Sequence, residues 1–113
     1  MNKRQIGTKW EQLAKEYLEK NGYYILEMNY RCKIGEIDII AVQDNVLVFI
    51  EVKYRSSKQY GTAIEAVNYR KQNIIRRVAD YYLVTKMHKT DICCRFDVVG
   101  IDGTKVTLIR NAF

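Results

Sequence analysis

The sequence predicts an α/β sandwich in which about five strands form a central mixed sheet with helices packed on it, in the chain order αβββαββ. Two observations predict this fold. Two long stretches repeat apolar residues at the period of a helix, and runs of β-branched residues separated by polar turns follow each of them. The chain of 113 residues has room for one sizeable core. We therefore expect a single domain that spans residues 1–113.

The first helix is predicted from about Lys3 to Lys20, where Asn21-Gly22 supplies the end signal. Its apolar stripe at helical spacing consists of Ile6, Trp10, Leu13, Ala14, Tyr17 and Leu18. Glu11 lies at the border of this stripe, so its side chain can reach the edge of the sheet on which the helix packs. An ordinary solvated carboxylate is the alternative.

Three strands are predicted after this helix. Tyr23 to Arg31 is predicted to be an edge or entry strand, and Ile37–Val42 and Val46–Val52 are predicted to be the arms of a hairpin. The polar residues between the arms include Asp44 and Asn45, which are typical of a tight turn.

A polar and basic stretch, YRSSKQYGT, follows Lys53, and we expect a mobile loop there because it shows neither structural period. Tyr54, Arg55 and Lys58 interleave aromatic and basic side chains. Such a mixture suits base stacking and phosphate contacts in nucleic-acid binding. A solvated loop without such contacts is the alternative.

A short helical turn is predicted over Ala63–Val67, and a second long helix from about Tyr69 to Lys86. The stripe of this helix consists of Ile74, Ile75, Val78, Ala79 and Tyr82. Lys71 lies one turn before the stripe, where it can extend past the sheet edge towards a phosphate, aided by the helix N-terminus. Snorkelling to solvent is the alternative. Arg70 faces another side and adds to a basic surface.

The last two predicted strands, Arg95–Ile101 and Lys105–Ile109, form a second hairpin joined through Asp102-Gly103. Asp97 receives no role. His88, the single histidine, is expected in a solvated loop because no acid or cysteine partners it at ligand spacing.

The formal charge of +6 and the isoelectric point near 9.3 favour a polyanionic partner, for which nucleic acid is the natural candidate. No run approaches the roughly 20 apolar residues of a membrane span, and the N-terminus lacks the apolar core of a secretory signal. Three cysteines, an odd number, argue against a secreted disulfide scaffold. We therefore expect a cytoplasmic protein without a membrane partner.

The first hairpin determines which of its side chains meet. A two-residue turn at Asp44 and Asn45 pairs Asp38 with Glu51 across the hairpin. The same register places Glu36 opposite Lys53. Because side chains alternate along a strand, these charged residues share one face. The other face is expected to carry Ile37, Ile39, Ala41, Val46, Val48, Ile50 and Val52.

This pairing has an electrostatic cost. Carboxylates on opposed residues, whose Cβ atoms are about 5 Å apart, repel by roughly 3 kcal/mol at an effective dielectric constant of about 20. A hard divalent cation with oxygen ligands, Mg²⁺ or Mn²⁺, suits such a pair. The alternative is a structural ion-pair cluster in which Lys53 neutralises Glu51.

Asp38 and the segment Glu51-Val52-Lys53 resemble the motif of the PD-(D/E)xK nuclease superfamily, whose fold is that of restriction endonucleases. More narrowly, GEIDIIA, LVFIEVK and RFDVV resemble the YraN-like family of uncharacterised small bacterial proteins, which is similar in turn to archaeal Holliday-junction resolvases. The resemblance covers nearly the whole chain, from Gly7 to Phe113. Trp10 departs from it, because the YraN-like pattern usually has Gly there.

The resemblance implies a restriction-endonuclease-like sandwich and a Mg²⁺-dependent or Mn²⁺-dependent endonuclease that hydrolyses nucleic-acid phosphodiesters. The implied metal ligands are Asp38, Glu51, the backbone carbonyl of Val52, and Glu11. Lys53 would orient the nucleophile and stabilise negative charge, and Glu36 opposite it would hold that side chain in place.

A chain this small has no separate reading domain, so recognition of branched or junction DNA by shape is favoured over sequence readout. One site per chain cuts one strand, and symmetric cleavage of a junction would require a homodimer. A catalytically silent nucleic-acid-binding adaptor with the same fold is the alternative. A structural, partner-binding protein is a third reading.

Overall fold

The computed structural model describes residues 3–55, 67–89 and 91–113. Its elements are α1 (Lys3–Lys20), β1 (Tyr24–Arg31), β2 (Glu36–Gln43), β3 (Val46–Arg55), α2 (Tyr69–Tyr82), a π-helical turn (Leu83–Met87), β4 (Cys94–Asp102) and β5 (Lys105–Ile109). The five strands form one sheet in the order β1-β2-β3-β4-β5. β3 and β4 are parallel, and the other neighbours are antiparallel. The predicted mixed sheet and the order αβββαββ are therefore confirmed.

Two predicted boundaries differ from the structure. β3 continues to Arg55 because its last residues pair with β4, Tyr54 with Ile101. Tyr54 and Arg55 therefore lie in a strand and not in a loop. The second helix is α-helical only to Tyr82, after which the π-helical turn continues it. The remainder of the predicted loop, including Lys58, and most of the predicted helical turn before α2 lie outside the described residues; Val67, which is described, lies at a bend.

The turn between β2 and β3 is the one that the sequence predicts. Asp44 and Asn45 have φ values of 51° and 65°, as a type I′ hairpin turn requires of both central residues. The strands pair from Gln43 with Val46 up to Ile39 with Ile50. The predicted register is therefore confirmed for these pairs.

The two helices cover opposite faces of the sheet, because neighbouring strand residues belong to different buried clusters. The cluster under α1 contains Ala14, Leu18, Tyr23, Ile39, Ala41, Val48, Ile50, Val99 and Ile101. The cluster under α2 contains Tyr30, Ile37, Ile40, Leu47, Phe49, Val67, Ile75, Val78, Ala79, Tyr82, Leu83 and Val98. The prediction that Ile37 shares a face of the sheet with Ile39 is wrong, because Ile37 lies in the cluster under α2 and Ile39 in the cluster under α1. Side chains therefore do not alternate strictly along β2 from Ile37 through Asp38 to Ile39.

Asp97, to which the sequence assigned no role, is the centre of a buried polar network. It is fully buried. One carboxylate oxygen accepts from the Tyr23 hydroxyl at 2.7 Å, and the other accepts from the backbone N–H of Asn111 at 2.9 Å. Arg95 donates to both oxygens, and Arg110 donates to the Tyr23 hydroxyl at 3.2 Å. The network joins the start of β1 to β4 and to the segment after β5.

We expect Asp97→Ala to lower the free energy of unfolding by about 3–5 kcal/mol, because the substitution leaves the Arg95 guanidinium without its buried partner. Urea denaturation measures the difference. Asp91→Ala is the matched control, since Asp91 is exposed, and it should change the free energy by less than about 0.5 kcal/mol. Equal effects of the two substitutions would contradict the structural role of Asp97.

Candidate metal centre

Four charged side chains from three elements meet where β2 and β3 separate. β2 contributes Asp38, β3 contributes Glu51 and Lys53, and the first turn of α2 contributes Lys71. We refer to these four residues as the carboxylate–lysine cluster. The cluster contains two of the four predicted metal ligands, Asp38 and Glu51, together with the predicted catalytic Lys53 and with Lys71, which was predicted to contact a phosphate.

Asp38 lies in the gap between the two strands. Its Oδ2 accepts a hydrogen bond of 2.8 Å from the backbone N–H of Val52, and its carboxyl group hydrogen-bonds that of Glu51. Followed away from the turn, the backbone pairing between β2 and β3 ends at Ile39, one residue before it would reach Asp38. The side chain of Asp38 therefore takes the backbone donor of β3 beyond the end of the ladder. Because the N–H and C=O of a strand residue point to the same neighbouring strand, the Val52 carbonyl faces this side too.

Glu51 is the most enclosed member of the cluster, with 4% of its side chain exposed. Its Oε2 lies 3.7 Å from the Nζ of Lys53 and 3.5 Å from the Nζ of Lys71. Both lysines are about one-third exposed, so they lie between the buried carboxylate and the solvent. The ion pair between Lys53 and Glu51 is the one expected if the cluster is purely structural. The ion pair between Lys71 and Glu51 was not predicted from the sequence.

The start of α2 determines where Lys71 points. Asn68 caps the helix, and its Oδ1 accepts from the backbone N–H of Lys71 at 2.9 Å. A Cβ added at Gly35 would lie 2.8 Å from the Cγ2 of Ile74. The helix therefore approaches the beginning of β2 as closely as a glycine permits. This approach keeps the first turn of α2 within reach of Glu51.

Burial and the contact with Glu51 favour the protonated form of Asp38 in the protein without a cation. Burial, together with the hydrogen bond to Glu51 and the repulsion from its charge, raises the pKa of Asp38 from 3.8 to about 9. The Val52 N–H opposes this shift, and the charge of Glu11 adds to it. A contact between two carboxyl groups requires either a proton or a cation between them.

Glu11 approaches the cluster from α1. Its Oε2 is buried and lacks a hydrogen-bond partner among the described residues. Burial raises the pKa of Glu11, although a hydrogen bond with Asn29 opposes the shift. Asn29 has a left-handed φ of 56°, a conformation that few residues other than Gly and Asn adopt. The sequence did not predict the contact between Asn29 and Glu11. The only signal for it was the residue type, because asparagine adopts a left-handed φ more readily than most residues.

Glu36 lies elsewhere than predicted. Its Oε2 accepts from the Nε of Arg31 at 2.9 Å, on the adjacent edge strand. The predicted position opposite Lys53 extrapolated the hairpin ladder beyond Ile39, where the pairing ends. Glu36 is nevertheless near enough to Glu11 for its charge to raise the pKa of that residue.

The predicted nucleic-acid-binding residues are only partly described. Tyr54 is 37% exposed on β3, and Arg70 is exposed on the first turn of α2. The backbone of Arg55 belongs to β3 but its side chain is not described, and Lys58 lies outside the described residues.

The donor set fits a hard divalent cation that keeps part of its water shell. Within the described ranges, no group of three His, Cys, Asp or Glu side chains is already assembled to hold a metal. Mg²⁺ is usually held by one or two carboxylates, water and substrate phosphates, without a complete protein cage. Asp38 and Glu51 supply the two carboxylates, and the unpartnered Oε2 of Glu11 is a further oxygen nearby.

The order and pairing of the helices and strands indicate the fold class of the protein. A mixed five-stranded sheet with helices on both faces, in the order αβββαββ, is compatible with a restriction-endonuclease-like fold. Among the described residues, no helix is long and apolar enough to cross a membrane.

The chain belongs to the uncharacterised protein family UPF0102, whose family model matches residues 10–101. A UPF0102 protein of Caldicellulosiruptor bescii is 46% identical, and one of Alkaliphilus oremlandii is 48% identical, each over the whole of both chains. A UPF0102 protein of Desulforamulus reducens is 48% identical over 89% of this chain and 84% of its own. The resemblance to the YraN-like family is thereby confirmed.

We expect the metal-free protein to lose stability as pH rises, through Asp38. A carboxyl group whose pKa is raised in the folded state stabilises the fold below its unfolded pKa, and this contribution is lost as pH rises towards the folded value. The window therefore runs from about pH 4 to about pH 9. Urea denaturation in EDTA at several pH values should show a smaller fall for Asp38→Asn than for the unaltered protein.

The control for this measurement is Asp91→Asn, which removes an exposed carboxylate outside the cluster. Its dependence on pH should match that of the unaltered protein. If the free energy of unfolding depends on pH in the same way in all three proteins, the pKa of Asp38 is not raised in the folded protein.

Proposed function

We propose that this protein is a metal-dependent endonuclease that hydrolyses phosphodiester bonds of nucleic acid, with DNA favoured and Mg²⁺ or Mn²⁺ as the cofactor. The observation that carries the proposal is the buried contact between Asp38 and Glu51, with Lys53 and Lys71 on the same carboxylate. A chain with a net charge of +6 adds the attraction to a polyanion that such a substrate needs.

Asp38 and Glu51 would hold the cation, and the Val52 carbonyl would face the same side of β3 as the Val52 N–H, which donates to Asp38. Glu11 would join through its free oxygen, directly or through water. When bound, the cation supplies a water of lowered pKa and polarises the phosphoryl oxygen.

The charges of the cluster explain why a phosphate would enter it. Ionised Asp38 and Glu51 carry two negative charges, and Lys53 and Lys71 carry two positive charges, so these four residues balance to zero. A divalent cation leaves the cluster with two excess positive charges. A phosphodiester carries one negative charge, so it would be attracted to the loaded site.

The lysines would act on the reacting phosphate. Both Nζ atoms lie within 4 Å of Glu51 and remain about one-third exposed, so an incoming phosphate can reach them. Lys53 would orient the nucleophile and stabilise the growing negative charge. Lys71 would hold a phosphate oxygen from the side of α2.

Recognition by backbone and shape fits the small size of the chain, since phosphate contacts position a nucleic acid without reading its sequence. We therefore propose branched or junction DNA as the substrate class. The described part of each chain offers one such cluster, which would cut one strand. Symmetric cleavage of a junction would need a homodimer.

A nucleic-acid-binding adaptor without catalysis is the second candidate. The observation that favours it is that Glu51 already has two lysine partners, which is an arrangement that a purely structural ion-pair cluster would also show. The adaptor would bind nucleic acid in a salt-sensitive manner and cut none.

Cleavage assays on the purified protein test the proposal. The substrates are branched, flapped, duplex and single-stranded DNA and RNA, each with Mg²⁺, Mn²⁺ or EDTA. We expect metal-dependent cutting that falls at least about 100-fold in each variant, because Asp38→Asn removes a carboxylate that would hold the cation and Lys53→Ala removes a positive charge beside the reacting phosphate.

Asp91→Asn serves as the control, because it removes one exposed carboxylate outside the cluster, and it should cut at the rate of the unaltered protein. Cleavage that survives Asp38→Asn would indicate a contaminating nuclease. Salt-sensitive binding without any cleavage would favour the adaptor.

A further inference from the structure

Trp10 and Tyr54, which adjoin two site residues in the chain, form a stacked aromatic pair. Their rings have centroids 3.9 Å apart and planes inclined by 11°. Trp10 directly precedes Glu11 on α1, and Tyr54 directly follows Lys53 on β3. The pair therefore joins the element that carries Glu11 to the element that carries Lys53, on the side of the sheet that α1 covers.

The pair has the features of a stacking surface for a base. Tyr54 is 37% exposed although Trp10 covers one of its faces. The Nζ of Lys9 lies 5.5 Å from the centroid of the Trp10 ring, which adds a positive charge beside the aromatic surface. Aromatic rings next to basic groups are the usual means by which proteins bind single-stranded nucleic acid.

Packing alone explains this pair incompletely. Trp10 does pack against the apolar cluster under α1. However, its Nε1 is buried without a hydrogen-bond partner in the part of the chain that the structure describes. An unpaired buried donor costs about 1–3 kcal/mol, which a phenylalanine at this position would avoid. Packing also leaves the exposure of Tyr54 unexplained.

We propose that the Trp10–Tyr54 pair stacks an unpaired nucleobase of the strand whose phosphate enters the cluster, an inference that rests on the proposed function. A base inside a duplex has both faces covered by its neighbours, so it has no face to offer to Tyr54. The substrate class is then nucleic acid with at least one unpaired nucleotide beside the cut, such as a flap, a branch point or a single strand.

Fluorescence of the protein in EDTA tests this inference without cleavage. Trp10 is the single tryptophan of the chain, so its emission reports on this pair directly. The probes are a single strand of about 12 nucleotides, an abasic strand of the same length and charge, and a blunt duplex. Binding is followed separately by the anisotropy of a label on each probe.

We expect the single strand to quench Trp10 and to bind roughly 10-fold more tightly than the abasic strand, since stacking of one base contributes about 1–3 kcal/mol. The duplex should quench little. Tyr54→Ala should reduce the affinity for the single strand to that for the abasic strand, and Tyr54→Phe should retain it. Tyr24→Ala is the control, because Tyr24 is a 72% exposed tyrosine on β1, outside the site.

Equal affinities for the single strand that carries bases and for the abasic strand, or an unchanged affinity in Tyr54→Ala, would overturn the inference and leave a packing role for the pair. If metal-dependent cleavage persists in that case, the proposed function survives it. If neither strand binds and nothing is cut, the inference and the proposed function fail together.

Discussion

The contact between Asp38 and Glu51 is the constraint on which the rest of the site depends. Two carboxyl groups within hydrogen-bonding distance, one of them almost fully buried, are unfavourable unless a proton or a cation joins them. The two-residue turn fixes the register of the hairpin up to Ile39 and Ile50, and Asp38 and Glu51 are the next residues of the two strands. Two lysines and the Val52 N–H then offset part of the negative charge.

The arrangement is expensive as a purely structural device. Well-packed apolar residues of similar volume usually stabilise a protein as well as a buried ion pair or better. The Asp97 network shows what a structural polar cluster looks like in this fold: its carboxylate accepts hydrogen bonds on both oxygens and is fully enclosed. By contrast, the Asp38–Glu51 pair opposes two acids, and the nearby Glu11 retains an unpartnered oxygen. That difference favours a binding role for the carboxylate–lysine cluster and a structural role for the Asp97 network.

Local patterns predicted much of the fold and of the central pair. The turn at Asp44 and Asn45 fixes the hairpin register up to Ile39 and Ile50, and extending that register by one residue predicted the contact between Asp38 and Glu51. The ladder could not be extrapolated to Glu36, since the strands separate where the side chain of Asp38 replaces a backbone acceptor. Residue spacing does not show where such a separation begins.

Interactions between distant segments could not be predicted in this way. The ion pair of Lys71 with Glu51 depends on how closely α2 approaches Gly35, and no periodicity reports that distance. The hydrogen bond from Tyr23 to Asp97 joins residues 74 positions apart. The extension of β3 to Tyr54 depends on its parallel neighbour β4, which follows a whole helix later in the chain.

Anomalous diffraction from crystals grown in saturating Mn²⁺ would show whether Asp38 and Glu51 bind a cation. If they do, an anomalous difference peak will lie between the two carboxylates and will be lost in crystals of Asp38→Asn. Carboxylates that remain in contact with no peak between them, or a peak that persists in Asp38→Asn, would rule out a cation site there.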